Sequence, residues 1–329
     1  MTKKTRDIIS IIVPTRDRVT LLERAIDSIR KQHFAQWEVI LVDTGKSEVT
    51  LNWYRNLGDE NKSQVRYFSL KAPEGVSSFG PSAARNYGVF QSKGSIIAFL
   101  DDDDEWIDDQ HLSNVHKYIN LNKQADVYIS QQEAVKSENK QVIAAQNGIW
   151  LEKVNYKSIA ISSESPGVYL VDSLTLLNQG NFCHLNCLAL KRKLFDKTGG
   201  FDESLRYEED KEFYFRALNN CRRVLVTDHL SSRHYIPKRN TASTSIDRKV
   251  KLLYQLQLVN KSLCYCLSPR SRFKWEKSMT LKKLAEDALE REQYTTAYHF
   301  ALCALSSRFS LKWAFYTLIL WLKSKPKLG

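Results

Sequence analysis

Glycine-rich phosphate loops are missing from this sequence. Neither GxGxxG nor GxxxxGK[ST] occurs in its 329 residues, which excludes ordinary dinucleotide and Walker-type sites. No uninterrupted apolar run reaches the roughly 18 residues needed to cross a bilayer, so no membrane span is expected. The opening stretch MTKKTRDIISIIVPTRDR has too short an apolar run for a signal peptide. Cysteine is sparse, at Cys183, Cys187, Cys221, Cys264, Cys266 and Cys303, with neither the density of a disulfide scaffold nor two CxxC pairs for zinc. CHLNC sets a histidine between two cysteines, but the spacing alone is discounted as a metal site. A reducing cytoplasm is the expected compartment.

What is present is ordinary in bulk, with 43% apolar and 26% charged residues. The net charge of +12 is not ordinary and points to a polyanionic neighbour. No basic helix with interleaved aromatics stands out, so nucleic acid is not an expected partner. The excess lies late, in SPRSRFKWEK and WLKSKPK, which suits an anionic membrane surface better than a DNA groove.

The first hundred residues alternate strand and helix. ISIIVP (9–14) reads as a strand ended by Pro14, and VTLLERAIDSIRKQ (19–32) as a helix burying Leu22, Ala25, Ile26 and Ile29, with Asp17 or Thr20 as cap. WEVILVD (37–43), VRYFSL (65–70) and SIIAFL (95–100) are further strands, and PSAARNYGVFQSK (81–93) is a helix opened by Pro81 and stopped at Gly94. This order implies parallel βαβ units in a doubly wound α/β sheet.

Two strands of that sheet end in acid, at Asp43 and at the run Asp101–Asp104. Adjacent like charges repel and need solvent, a cation or basic partners. Ligands bind at the carboxyl edge of such sheets. With no glycine loop to hold phosphates, a carboxylate-held divalent cation gripping a diphosphate is the natural substitute. The competing reading is a solvated turn whose last acid caps a helix.

The segments ISIIVPTRDRVTLLERAIDSIRKQHFAQWEVILVD, ARNYG and GSIIAFLDDDDEW, in this order, resemble the family 2 glycosyltransferases, over roughly residues 8–235. The resemblance implies a GT-A fold, a Rossmann-like mixed sheet, with inverting transfer from a nucleotide-diphosphate sugar. It places Pro14, Thr15 and Asp43 at the nucleoside, although Thr44 and Lys46 depart from the family's acid–acid–Gly–Ser turn. Arg85 and Asn86 would lie near the donor, with a helix-face salt bridge as the alternative for Arg85. Asp101 and Asp102 would face ribose and diphosphate. Asp103 would ligate Mn²⁺ or Mg²⁺, a one-residue slip within the run staying open, and Asp104 would cap a helix.

NFCHLNCLALKRKLFDKTGGFDESLRYEEDKEFYFRAL (181–218) resembles a second family block. It makes Asp210, preceded by Glu209, the base that takes the acceptor's proton; a capping box is the alternative. His234 would complete the metal shell, or be an ordinary histidine, and Arg233, Lys238 and Arg239 would close over the phosphates. The implied organisation is a catalytic domain over 1–245, its nucleotide-sugar part at 1–110 and acceptor part at 111–245, then a helical region over 246–329. There LKKLAEDALEREQYTTAYHFALCALSS reads as a helical hairpin with small residues at the crossing, and LKWAFYTLILWLKSKPK either docks on the core or lies in a membrane interface. The expected partners are a nucleotide-diphosphate sugar, with UDP foremost, a glycan or lipid-linked acceptor, and an anionic membrane at the inner face of the cell membrane. Absence of the family's QxxRW element favours single sugar additions. A metal-dependent nucleotidyltransferase and an inactive GT-A scaffold remain the rivals.

Overall fold

The computed structural model describes residues 6–73, 79–143, 154–180, 182–236, 246–266 and 269–325. The chain divides into two compact units, Met1–Lys238 and Arg239–Gly329.

The first unit opens with β1 (Arg6–Thr15), α1 (Val19–Arg30), β2 (Trp37–Asp43), α2 (Val49–Arg55), α3 (Asp59–Gln64), β3 (Val65–Ser69), α4 (Pro81–Gln91) and β4 (Gly94–Phe99). The two short helices α2 and α3 carry little apolar periodicity and are not evident from pattern. It continues with β5 (Glu105–Trp106), α5 (His111–Leu121), β6 (Ala125–Lys136), β7 (Val142–Ile143), α6 (Tyr156–Ile159), β8 (Ala160–Ser165) and β9 (Val168–Asp172). It closes with α7 (Ser173–Asn178), β10 (Leu188–Lys191), α8 (Arg192–Thr198), α9 (Glu209–Asn220) and β11 (Arg223–Ile236).

All strands join one mixed sheet ordered β3-β2-β1-β4-β10-β6-β11-β9-β8, with β5 on β11 and β7 on β6. β1, β2, β3 and β4 are mutually parallel, whereas β10 runs antiparallel between β4 and β6. Every residue of β2 is buried, as a strand covered on both faces requires. Helix α1 buries Leu22, Ala25, Ile26 and Ile29. Gly88 lets α4 lie close on the sheet, because a Cβ there would stand 2.6 Å from Cγ2 of Ile12.

Three sequence expectations change. Pro14 does not end β1, since it still pairs with Val42 while the pairing to β4 reaches only Ile12; its missing N–H therefore costs no observed ladder bond. Helix α1 has no side-chain cap. Asp17 instead adopts a left-handed φ of 54° and accepts the N–H groups of Lys46 and Ser47 at 3.3 and 3.2 Å. Gly94 starts β4 and is not the stop of α4, which ends against extended Ser92.

His111, at the start of α5, is buried against Trp106 with its ring centroid 4.8 Å away, and its Nδ1 has no hydrogen-bond partner. Burial pushes its pKa down to about 3. The unfolded chain takes up this proton near pH 6.5, while the folded chain refuses it until about pH 3. Stability is therefore full above pH 6.5 and lost as pH falls toward 3, by at most about 1.4 kcal/mol per pH unit. Urea unfolding of wild type and His111→Phe at a series of pH values will show a shallower acid slope in the variant. Identical slopes would contradict this account.

The second unit contains α10 (Arg248–Tyr265), α11 (Arg270–Glu290), α12 (Tyr294–Ser307) and α13 (Leu311–Ser324). Helices α11 and α12 form a hairpin whose contact face is small, with Ala285, Ala288, Ala297, Ala301 and Ala304 all buried.

Candidate active site

Each of the four consecutive aspartates has a basic partner, Arg85 for Asp101, Arg18 for both Asp102 and Asp103, and His234 for Asp104. Leu100, after β4, donates to the Ile12 carbonyl at 3.2 Å, which delivers the run to the carboxyl edge of the sheet. Asp101 accepts from Arg85 Nη2 at 2.7 Å. Burial alone would raise Asp101, but the Arg85 guanidinium overrides it and holds the carboxyl at about 2. Asp102 accepts from Thr15 Oγ1 at 2.7 Å and is paired with Arg18. Burial nonetheless pushes it up to about 7, with the Asp103 charge adding to the rise. Asp103 accepts from Arg18 Nη1 at 2.8 Å, and its carbonyl accepts from Arg24. The run is not a solvated turn, and these cations offset the repulsion that its neighbouring carboxylates still exert on one another.

Asp104 differs most from its expected role. It caps no helix, since β5 follows it and α5 begins only at His111. Its fully buried carboxylate accepts from the Tyr235 N–H at 2.9 Å and from Asn186, and pairs with His234 Nδ1 at 2.9 Å. Ligand atoms of Asp104, His184 and His234 all lie within 4.8 Å of one another. Burial would lower His234, but Asp104 outweighs it and raises the imidazole to about 9. His184 is lowered, by burial and then by the His234 charge. One carboxylate and two imidazoles make a donor set that fits a divalent transition ion better than the oxygen-preferring Mg²⁺. Asp103 stands beside this group and is not a member of it. His184 comes from CHLNC, the stretch discounted on spacing. Its cysteines are not members of the group, and burial pushes the Cys183 thiol up.

At the same sheet edge β1 and β2 end in register, Thr15 opposite Asp43. Asp43 accepts the Gly45 N–H at 2.8 Å and the Tyr67 hydroxyl at 3.1 Å. Burial raises its carboxyl against the pull of those two donors. Asp17 and Asp43 thus hold the DTGKS turn from both sides, and a Cβ on Gly45 would meet Asp43 Oδ1 at 2.9 Å.

On the other side, α9 starts at Glu209 after Glu208, which has a left-handed φ of 64° and no side-chain capping bond. EEDKE is therefore no capping box. Glu209 accepts from Arg85 Nη1 at 3.0 Å, so one buried guanidinium ties the aspartate run to the Glu209–Asp210 pair. Asp210 accepts the Lys211 N–H at 2.8 Å and is raised, by burial first and then by Glu208. Glu209 is raised too, by burial and Asp210, against the pull of Arg85.

Asn86 serves the turn after α8. It donates to the Phe201 carbonyl at 2.9 Å and accepts the Phe201 N–H at 2.7 Å, beneath Gly200 at φ 75°. Arg233 does not lie in a closing loop. It is held in β11 by Glu133 at 2.6 Å and Glu105 at 3.0 Å. Lys238 and Arg239 fall outside the described residues.

Residues 10–199 match the model described as glycosyl transferase family 2, more than half of the chain. The chain belongs to this family. Among relatives, the GalNAc(5)-diNAcBac-PP-undecaprenol beta-1,3-glucosyltransferase of Campylobacter jejuni is 38% identical over 97 residues, 30% of each protein. The chain thus spans under a third of that relative. Among solved structures, S. aureus TarS 1–349 in complex with UDP-GlcNAc gives a TM-score of 0.63 at 18% identity, covering 90% of this chain and 81% of that one. The mannosyltransferase PcManGT of Pyrobaculum calidifontis, in complex with GDP-Man and Mn²⁺, gives 0.56 at 18% identity, covering 99% and 83%. The fold is GT-A, with a mixed sheet, and a helical region follows it. The match spans the strand-end acids Asp43 and Asp101–Asp104 and ends before Glu209 and Asp210. Sequence reading did not single out Arg18, took Asp17 only as a helix cap, and discounted His184 within CHLNC. For Arg18 the only cue was a cation beside an acid-rich edge.

Proposed function

We propose that the chain transfers a hexosyl group from a nucleotide-diphosphate sugar to a hydroxyl of a surface glycan or lipid-linked acceptor, with inversion. The carrying observation is the Arg85 bridge, which fixes the acidic strand end and the Glu209–Asp210 pair on opposite sides of one guanidinium. Asp43 and Thr15, at the edge of β1 and β2, hold the nucleoside; Arg18 and Asp102 stand at the diphosphate. Asp104, His184 and His234 hold Mn²⁺, with Asp103 alongside. When bound there, the cation neutralises the departing diphosphate. Asp210, kept basic by burial, takes the acceptor proton as the hydroxyl attacks opposite the leaving group. A single displacement with one base inverts the anomeric centre.

Isothermal titration of UDP, GDP, CDP and dTDP with and without Mn²⁺ tests this reading. One nucleotide, with UDP foremost, will bind tightly only with metal, and Asp104→Asn will weaken that binding by 10-fold or more, within the range for altered metal shells. Asp103→Asn will have the smaller effect. Binding that ignores both the metal and Asp104 would overturn the assignment.

We also propose peripheral contact with an anionic membrane through α13. Among the described residues no helix is long and apolar enough to cross a membrane. Helix α13 buries Thr317 and Leu320 yet exposes Leu311, Phe315, Leu318 and Leu322, from 50% to 79%. These recur at one helical face, with Lys312 and Lys323 on the same helix for anionic headgroups. Lys327 of the tail lies outside the described residues. Sedimentation with phosphatidylglycerol vesicles will fall at least about tenfold in Phe315→Ser/Leu322→Ser, which removes two insertable side chains. Unchanged sedimentation would exclude this face.

A further inference from the structure

A cavity of about 400 Å³ opens beside β6 and β11, and Gln131, Gln132, Asn155, Tyr156, Tyr169 and Asp228 line it. Its origin is a bulge. Between Val226 and Ser232 the register of β11 against β6 shifts twice, from Val226 opposite Ile129 to Leu230 opposite Gln131 and then Ser232 opposite Gln132. Regular pleating would send Gln131 and Gln132 to opposite faces. The extra residues belong to β11, and the irregular stretch presents its Asp228 and Leu230 to the opening that both glutamines line.

Gln132 is the residue that most needs explaining. It is only 6% exposed, yet its Nε2 has no hydrogen-bond partner, and its Oε1 receives only a long 3.8 Å contact from the Cys187 thiol. A buried amide left unmet costs about 1–3 kcal/mol. Nothing in the packing repays that cost, which a ligand in the cavity would.

The lining selects the chemistry. Amides both donate and accept, as vicinal hydroxyls do, and two tyrosines offer flat apolar faces to a pyranose ring. Asp228 and Lys157 contribute one charge of each sign, so the lining favours neither a phosphate nor a lipid chain. Position agrees with this. Gln132 stands opposite Ser232, and His234 stands opposite Ala134 two residues on. The cavity therefore lies one same-face step, about 7 Å of strand, from the Asp104–His184–His234 group.

We propose that this cavity is a saccharide subsite holding a neutral sugar unit of the acceptor, with Gln132, Asn155 and Asp228 on its hydroxyls and Tyr156 and Tyr169 against its ring. The assignment to an acceptor rests on the glycosyl-transfer reading above; the sugar-binding itself does not.

Saturation-transfer NMR of the full chain with methyl glycosides of glucose, galactose, mannose, N-acetylglucosamine and N-acetylgalactosamine tests it. At least one will saturate through its ring protons, and Gln132→Leu and Tyr169→Ala will each cut the affinity about tenfold or more. Gln132→Leu will melt at or above the wild-type temperature, because the lost amide had no partner; a purely structural glutamine would show a loss. Nucleotide binding with Mn²⁺, measured on the same variants, will be unchanged. No saturation by any glycoside, or saturation that survives both substitutions, overturns the subsite even where nucleotide still binds. Glycoside binding in a chain that binds no nucleotide would keep the subsite and remove the transferase reading.

Discussion

Asp210→Asn is expected to lower kcat by roughly 10²–10⁴-fold, the usual contribution of a positioned general base, while donor binding stays near wild type. Asparagine keeps the volume and can still accept the Lys211 N–H that Asp210 accepts at 2.8 Å, so the fold should hold. What disappears is the capacity to take a proton. Burial and Glu208 raise the Asp210 carboxyl above the ordinary aspartate value. Its basic form is therefore complete only at higher pH than for an exposed aspartate, and the acid limb of wild-type kcat/KM should sit above pH 3.8. Steady-state kinetics against pH, with nucleotide titration of the variant, check both statements. Retained kcat would assign the base elsewhere.

Arg85→Met should be the most destabilising of the substitutions considered. The Arg85 side chain is 5% exposed and pairs with Asp101 at 2.7 Å and Glu209 at 3.0 Å. Methionine would leave two buried carboxylates without their cation, and breaking such a pair typically costs about 3–5 kcal/mol. For a unit of this size that corresponds to a melting temperature lower by roughly 10 °C. Asp101, held at about 2 by this guanidinium, would rise and neutralise to limit the cost. Arg85→Lys should fall between the two, because a single ammonium cannot fork to both carboxylates. Replacing all three groups by apolar residues should recover much of the stability without activity, since burial of an intact triad is itself expensive. Thermal melts of the three variants test this, and a wild-type melt for Arg85→Met would deny the bridge any structural weight.

The comparison of pattern with structure is uneven in an instructive way. Strands β1, β2 and β4 are legible because burial on both faces demands continuous β-branched and apolar runs. Helix α1 is legible through Leu22, Ala25, Ile26 and Ile29, and the α11–α12 hairpin through its alanines. The short helices α2 and α3 are not, since a turn or two of chain is too short to show a helical period. Nor is the insertion of antiparallel β10 between β4 and β6 visible, because strand order is set by long-range pairing that a local pattern does not encode.

Within the site, the acids at strand ends announced the edge of the sheet, and Asp43, Asp101, Asp102 and Asp210 could be named from order and resemblance. The individual duties in the aspartate run could not. Four identical side chains in a row have identical local signals, so their partners alone distinguish them. Arg85 comes from α4, Arg18 from just before α1, Asn186 from the turn before β10 and His234 from β11. His184, set aside in CHLNC, gains meaning only because β11 brings His234 to within 4.9 Å of its ring centroid. Local sequence thus settled strands β1, β2 and β4, their acidic ends and the residue types available for the chemistry, since these follow from periodicity and charge. Which aspartate meets arginine and which meets histidine was left to the packing of α4, β10 and β11, because electrostatic partnership depends on distances across the fold and not along the chain.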